Sequence, residues 1–174
     1  TVNGKSPEDA RKNRAYGYVF QAAGLYPWRN IYRNVSLPLE IMGYKKNEIP
    51  GIVEKVLKLV DLTGFEKKFP WQLSGGMQQR ASIARALAFD ANILLMDEPF
   101  GALDAQTRLT VQGEFINLWE RSGESSVIFV THDLEEAVLL ADRVIVMTAR
   151  PGRIKSDTII DLPRPRVIDE LRFD

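Results

Sequence analysis

The chain has 174 residues, 45% hydrophobic and 26% charged, ordinary usage for one globular domain with a sizeable core. Its 23 Lys and Arg balance 23 Asp and Glu, and the basic residues are dispersed, so nothing in the charge pattern marks a nucleic-acid footprint. The absence of cysteine excludes disulfides and fits a reducing compartment. No apolar run nears the roughly 18 residues that span a bilayer, so a membrane role is expected to run through partners.

In chain order, Thr1-Val2-Asn3 reads as the tail of a strand already under way, so the chain is expected to begin inside a domain. Gly4 after Asn3 is turn chemistry, and after a charged stretch broken by Pro7 the apolar run Tyr18-Val19-Phe20 predicts a strand ending at Gln21. From Ala22 to about Trp71 the sequence is aromatic and Pro-punctuated, then helical. Ile52, Val53, Val56, Leu57 and Val60 share one helix face, and Gly64 is placed to stop that helix. Trp28, Trp71 and Trp119 are expected to be packing residues, with a place near a partner groove the alternative for Trp28 alone.

From Leu73 onward helices alternate with short apolar strands. We expect a helix through Ala88, a strand from Ile93 to Met96, a helix from about Thr107 to Arg121 and a strand from Val127 to Val130. A helix from Leu134 to Leu140 and a strand from Val144 to Met147 follow. Asp133, with Glu136 at the third helical position, has the form of an N-cap and capping box. Beyond Arg150-Pro151-Gly152-Arg153 a last strand runs through Ile159, and the tail at Pro163-Arg164-Pro165 reads as irregular. The alternation predicts an α/β fold with a largely parallel sheet, divided into a helical subdomain over 22–72, an α/β core over 73–162 and a tail over 163–174.

Two segments carry chemistry. Leu73-Ser74-Gly75-Gly76-Met77-Gln78-Gln79-Arg80 opens a helix with a serine and two glycines, placing unpaired N–H groups and the positive end of a helix dipole where a phosphate can dock. Ser74 as a plain N-cap is the simpler reading, but two glycines in a first turn cost about 2 kcal/mol in propensity, and close backbone approach to a ligand explains that cost better. Ile93-Leu94-Leu95-Met96 then delivers Asp97-Glu98-Pro99 to the carboxyl end of a buried strand, the edge where open α/β sheets bind ligands. Adjacent acids there are expensive to hold without a cation. One carboxylate can hold Mg²⁺ and its neighbour can orient a water, as phosphoryl transfer requires.

At these residues the chain resembles the ATP-binding cassette (ABC) ATPases. Leu73 to Arg80 is similar to their signature motif, Ile93 to Glu98 to their Walker B strand, and Gly101-Ala102-Leu103-Asp104 to their D-loop. Gln21 matches the Q-loop and His132, in Thr131-His132-Asp133, the switch histidine, so five motifs fall in the family's order. The resemblance implies a P-loop NTPase-like ABC ATPase domain, with a largely parallel sheet core and a helical subdomain. The P-loop itself, G-x-x-x-x-G-K-[ST], is not found, and the domain is expected to be incomplete at its N-terminus. Gly4-Lys5-Ser6 is read as a turn, since Pro7 follows at once where a P-loop opens a long helix.

The resemblance further implies two ATP molecules held between two head-to-tail subunits. Asp97 and Gln21 would hold Mg²⁺, Glu98 would polarise the attacking water and His132 would contact the γ-phosphate. Ser74, Gly75 and Gly76, with Gln78 in the same motif, would grip the ATP of the opposite subunit, and Asp104 would link the two sites. Leu25-Tyr26-Pro27-Trp28, 34–40 and 144–153 look like the nitrate, sulfonate and taurine importer ATPases. That likeness implies a second ATPase subunit, an integral membrane permease and, indirectly, a solute-binding protein as partners, with the chain on the cytoplasmic face of the inner membrane. It would be inactive alone. A P-loop-less pseudo-ATPase or association module and a soluble ABC ATPase unconnected with transport remain the alternatives.

Overall fold

Contacts gather the chain into two units, 1–130 and 131–174. The structure, a computed structural model, describes residues 1–2, 4–89, 91, 93–101, 103–122, 126–164 and 166, without the side chains of 114, 118 and 120–122. Expectations that fall on Asn3, Ala102, the Arg121 side chain, Pro165 and 167–174 lie outside the described residues.

In the first unit Gly4, at φ +74°, turns the chain so that the backbones of Val2 and Lys5 pair reciprocally at 2.9 and 3.0 Å. A glycine suits that left-handed position. Ser6 then caps a six-residue helix, α1 (Pro7–Lys12), by accepting the Asp9 N–H at 3.1 Å. The charged stretch is therefore partly helical: Pro7 opens it, Glu8 and Asp9 lie in its first turn and Arg11 and Lys12 in its last, an order that complements the helix dipole.

Strands β1 (Gly17–Val19), β2 (Ile93–Asp97) and β3 (Ser126–Val130) form a parallel sheet in that order, with Val19 opposite Met96 and Asp97 opposite Val130. Alternation of side chains puts Val19, Leu94 and Met96 on the buried face, while Tyr18, Phe20, Ile128 and Val130 are exposed. Helix α4 (Gly75–Leu87) approaches β1 so closely that a Cβ at Gly17 would lie 2.9 Å from Leu94 Cδ1 and 3.1 Å from the Ala86 carbonyl oxygen. Beside it, Phe100 lies between Phe115 of α5 (Ala105–Ser122) and Phe129 of β3, with ring centroids at 6.3 and 5.7 Å.

Two further helices, α2 (Ile31–Met42) and α3 (Ile49–Leu59), pack against α4. The periodicity of α3 is realised, with Val53, Val56, Leu57 and Val60 buried. Its end is not at Gly64. The helix stops at Leu59, Asp61 turns left-handed at φ +53°, and Arg80 of α4 donates to the Val60 and Asp61 carbonyls at 2.9 and 3.1 Å. A tertiary partner thus satisfies carbonyls that a helix end leaves open. Trp71 also departs from expectation: the short 3-10 turn Pro70–Gln72 buries Pro70 and leaves Trp71 68% exposed, stacked on Phe69 at 4.6 Å.

The second unit holds α6 (Leu134–Leu140) and an antiparallel pair, β4 (Arg143–Met147) and β5 (Ile154–Ile159). Asp133 caps α6 by accepting the Glu135 and Glu136 N–H groups at 2.9 and 3.2 Å. Across the strands, Arg143 Nε donates to Asp157 Oδ1 at 2.7 Å.

Asn34 ties the helical part to the loop before it. It is fully buried on α2; its Oδ1 accepts the Tyr26 N–H at 2.7 Å, and its Nδ2 reaches the carbonyls of Tyr26, Arg29 and Asn30 at 3.1, 2.8 and 3.1 Å. Asn34→Ala is expected to cost roughly 2–3 kcal/mol, because buried backbone groups lose their partner, and urea denaturation of the chain measures it. A change under about 0.5 kcal/mol would show that water replaces the amide.

Candidate functional site

Parallel pairing brings the carboxyl ends of β1, β2 and β3 to one sheet edge, the place where α/β folds bind ligands. Gln21 follows β1 by two residues and Glu98 follows β2 by one. The Gln21 Nε2 donates to Glu98 Oε2 at 3.0 Å, joining residues 77 apart in sequence. Glu98 sits in left-handed backbone at φ +43°, held by its N–H donating to the Val130 carbonyl at 2.9 Å and its carbonyl accepting from Gly101 N–H at 3.1 Å. A non-glycine residue kept there by surrounding bonds is a common mark of a functional position.

Asp97 ends β2 half-buried, immediately before Glu98. Among the described residues no group of three or more His, Cys, Asp or Glu side chains converges as a complete protein metal cage. Mg²⁺ does not need one. It typically takes one or two carboxylates and completes its octahedron with water and phosphate oxygens, so one half-buried carboxylate fits that ion better than it fits Zn²⁺ or Ca²⁺. With Gln21 Nε2 turned to Glu98, its Oε1 is the end with the lone pairs a cation needs.

The second cluster opens α4. Ser74 is its N-cap, accepting the Met77 N–H at 3.3 Å. A Cβ at Gly75 would meet nothing within 4 Å, whereas one at Gly76 would lie 3.2 Å from Leu103 Cδ2. Gly76 therefore has a packing reason inside the chain, and Gly75 faces open space. Gln78 Nε2 turns back to the Leu73 carbonyl at 3.2 Å. Next to Leu103, Asp104 caps α5: its Oδ1 accepts the Thr107 N–H at 3.0 Å, which starts the helix two residues before the expected Thr107.

His132 is exposed in the second unit, one residue ahead of the α6 cap. Beside it Thr131 donates its hydroxyl to Glu136 Oε2 at 2.7 Å and accepts the Asp133 N–H at 3.0 Å. Thus the structure brings Gln21 and Glu98 together beside Asp97, gathers Ser74, Gly75, Gly76 and Gln78 on the first turns of α4, and places His132 at the start of another unit.

Two residues with contacts to this edge went unread in the sequence. Gln79, 1% exposed, donates from Nε2 to the Phe20 carbonyl at 3.0 Å. Arg85 donates to the Ala23 and Gly24 carbonyls at 3.1 and 2.8 Å, and burial pulls its guanidinium below its ordinary value. A signal existed for Gln79, since it shares a helix face with buried Ser82, Ile83 and Ala86, and a polar residue on a buried face must have a partner.

The family described as ABC transporter matches residues 1–101. The chain is 54% identical over 157 residues to an uncharacterized ABC transporter ATP-binding protein of Methanocaldococcus jannaschii, covering 90% of this chain and 58% of that one. It is 46% identical to a taurine import ATP-binding protein of Shigella boydii, covering 88% and 60% of the two chains. With an aliphatic sulfonates import ATP-binding protein of Bacillus cereus the identity is 42%, over 90% of this chain and 61% of the other. The chain thus spans about three-fifths of the length of these relatives. Among solved structures it is similar to a dimeric bacterial ABC transporter cassette, at TM-score 0.77 and 34% identity over 91% of this chain and 69% of that one. The post-hydrolysis dimer of an ATP-binding cassette bound to ADP and Pi superposes at 0.76, with 32% identity and the same coverage.

The Asp104 cap makes a pH prediction. The Thr107 backbone N–H, and then its side chain, hold the Asp104 carboxyl below its ordinary value. A depressed carboxyl contributes stability that is present above its unfolded-state value and lost as pH falls through the folded one. Asp104→Ala should therefore lower Tm at neutral pH, and the difference should close as the acid range protonates the cap. Melting curves at several pH values check this; a difference constant with pH would leave the carboxylate no part in capping.

Proposed function

The chain belongs to the ABC transporter family, and from that premise we propose that it serves in the ATP-binding and hydrolysing subunit of a bacterial importer. The observation that carries this reading is the Gln21–Glu98 hydrogen bond of 3.0 Å at the sheet edge, directly beside Asp97. In this reading Asp97 and Gln21 hold Mg²⁺, which neutralises charge on the transferring phosphoryl group. Glu98 orients and polarises the attacking water. The Gln21 amide, donating to one carboxylate oxygen at 3.0 Å, restricts the orientation of Glu98. His132 reaches the γ-phosphate.

Ser74, Gly75 and Gly76 serve a second subunit's nucleotide in a head-to-tail dimer. The open space at Gly75 is what close approach of a phosphate to backbone N–H groups needs. Asp104 links the two sites from its place next to Leu103. The dimeric cassettes to which the fold is similar support this pairing.

No described helix is long and apolar enough to cross a membrane, so the proposed place at the cytoplasmic face of the inner membrane depends on a permease. Tyr26 and Trp28, 41% and 70% exposed with ring centroids 5.2 Å apart, supply an aromatic surface for it on the same loop that leaves Gln21. A solute-binding protein would act through the permease. The relatives named for taurine and aliphatic sulfonates favour a small sulfonate or a related anion such as nitrate as cargo.

Two measurements test the proposal. Residues 1–174 contain no P-loop sequence, and that loop supplies most contacts to the β- and γ-phosphates, so the chain by itself should hydrolyse no ATP above background. Calorimetry should find no micromolar Mg-ATP binding to it, and a micromolar value would overturn the prediction. In a subunit that carries this chain behind a P-loop segment, Glu98→Gln should lower turnover by roughly 10²–10⁴ while ATP-bound dimerisation is kept or strengthened. An unchanged turnover would move the base elsewhere, with His132 the first candidate.

A further inference from the structure

Helix α4 holds both flanks of Gln21 with side chains that bear no assigned role. Gln79 lies one turn beyond the signature glycines, is 1% exposed, and gives its amide to the Phe20 carbonyl at 3.0 Å, across 59 residues of sequence. Burying an amide is costly unless it is hydrogen-bonded, and an apolar residue of similar length would fill the space without that cost. A glutamine is thus explained by what it holds. Phe20 lies just beyond the last residue of β1, whose pairing with β2 ends at Val19 opposite Met96.

The bond between Phe20 and Gln21 is a planar peptide, so fixing the Phe20 oxygen orients the N–Cα bond of Gln21 as well. Two turns further along α4, Arg85 grips the carbonyls of Ala23 and Gly24 at 3.1 and 2.8 Å. Gly24 needs that fixing, since at φ +55° it bends the segment through a conformation open mainly to glycine. Residues 20 and 23–24 are therefore both fastened to one rigid helix, and Gln21, between them, extends its side chain to Glu98 Oε2 at 3.0 Å.

We propose that Gln79, assisted by Arg85, is a positioning residue that sets the Gln21 backbone so that its amide meets Glu98, coupling the signature helix to the acid of the same subunit. Resting on the ATPase reading above, this gives α4 a second task. Its first turn addresses the nucleotide of a partner subunit, and its body aims Gln21 in its own. Any tilt of α4 that follows engagement of Ser74 and Gly75 would move the Phe20–Gln21 peptide with it, a direct physical linkage between the two sites of a dimer.

In a subunit that carries this chain behind a P-loop segment, Gln79→Met keeps the side-chain length and removes the amide. It should lower kcat about tenfold and leave KM for ATP within about twofold of the parent. In a Gln21→Ala background the same substitution should change kcat by less than about twofold, because the group it positions is gone. Losses that multiply in the double variant, or a KM effect with unchanged kcat, overturn the assignment. If Gln79→Met does not fold, Arg85→Lys carries the same test, since it keeps the charge but loses the fork that spans two carbonyls.

A readout free of hydrolysis comes from side-chain amide NMR of the 174-residue chain. The Gln21 NH₂ signal, identified by its loss in Gln21→Ala, should shift on Gln79→Met, and an unmoved signal overturns the coupling. Should that shift occur while the parent subunit shows no ATPase activity, the ATPase reading fails and the positioning of Gln21 by Gln79 stands.

Discussion

The closeness of α4 to β1 is the constraint on which the rest of the first unit depends. Side chains normally keep a helix at a distance from a strand, but at Gly17 there is none, and the Ala86 carbonyl oxygen would lie 3.1 Å from a Cβ placed there. The buried residues of the helix are accordingly mostly small, Ala81, Ser82, Ala84 and Ala86, with Gln79 and Ile83 the larger ones among them. Small residues let polar side chains on the same helix reach backbone carbonyls that bulkier packing would hold out of range. Gln79 reaches Phe20, Arg85 reaches Ala23 and Gly24, and Arg80 reaches the end of α3.

Helix α4 is thereby an organising rod rather than one helix among several. The bonds of Gln79 to Phe20, Arg85 to Ala23 and Arg80 to Val60 are part-buried, where a hydrogen bond is stronger than in water and costly to leave unmade. The same helix opens with Ser74, Gly75 and Gly76, where Ser74 caps the first turn, Gln78 turns back to the Leu73 carbonyl and a Cβ at Gly75 would meet nothing within 4 Å. The body of the helix is fixed to the loop that carries Gln21.

The sheet edge adds the complementary acids. Parallel strands present their carboxyl ends together, so a residue after β1 and a residue after β2 become neighbours without any special sequence device. The left-handed turn at Glu98 is held against the preference for extended backbone that Pro99 imposes on the residue before it, with Gly101 N–H closing the turn onto the Glu98 carbonyl at 3.1 Å. Strain there is offset by the bond to Val130 on the neighbouring strand, so the position of the acid depends on β3 as much as on its own strand.

Local chemistry made much of this legible in advance. Turn residues, caps and apolar periodicity act over a few positions, which is why the Gly4 turn, the Ser74 and Asp133 caps, the α3 face and the β2 and β3 strands could be read from neighbouring residues. Where a local signal failed, a distant partner had intervened: α3 ends at Leu59, Arg80 donates to the Val60 and Asp61 carbonyls that follow it, and the helix has already ended when the chain reaches Gly64. The sequence by itself indicated most of the alternating helices and strands from Leu73 onward, their order, and residue types suited to phosphate and metal chemistry. Only the tertiary structure decided that Gln21 meets Glu98 across 77 residues and that Gln79 holds Phe20 across 59, because no periodicity encodes a contact between elements whose separation is set by how closely a helix can lie on a sheet.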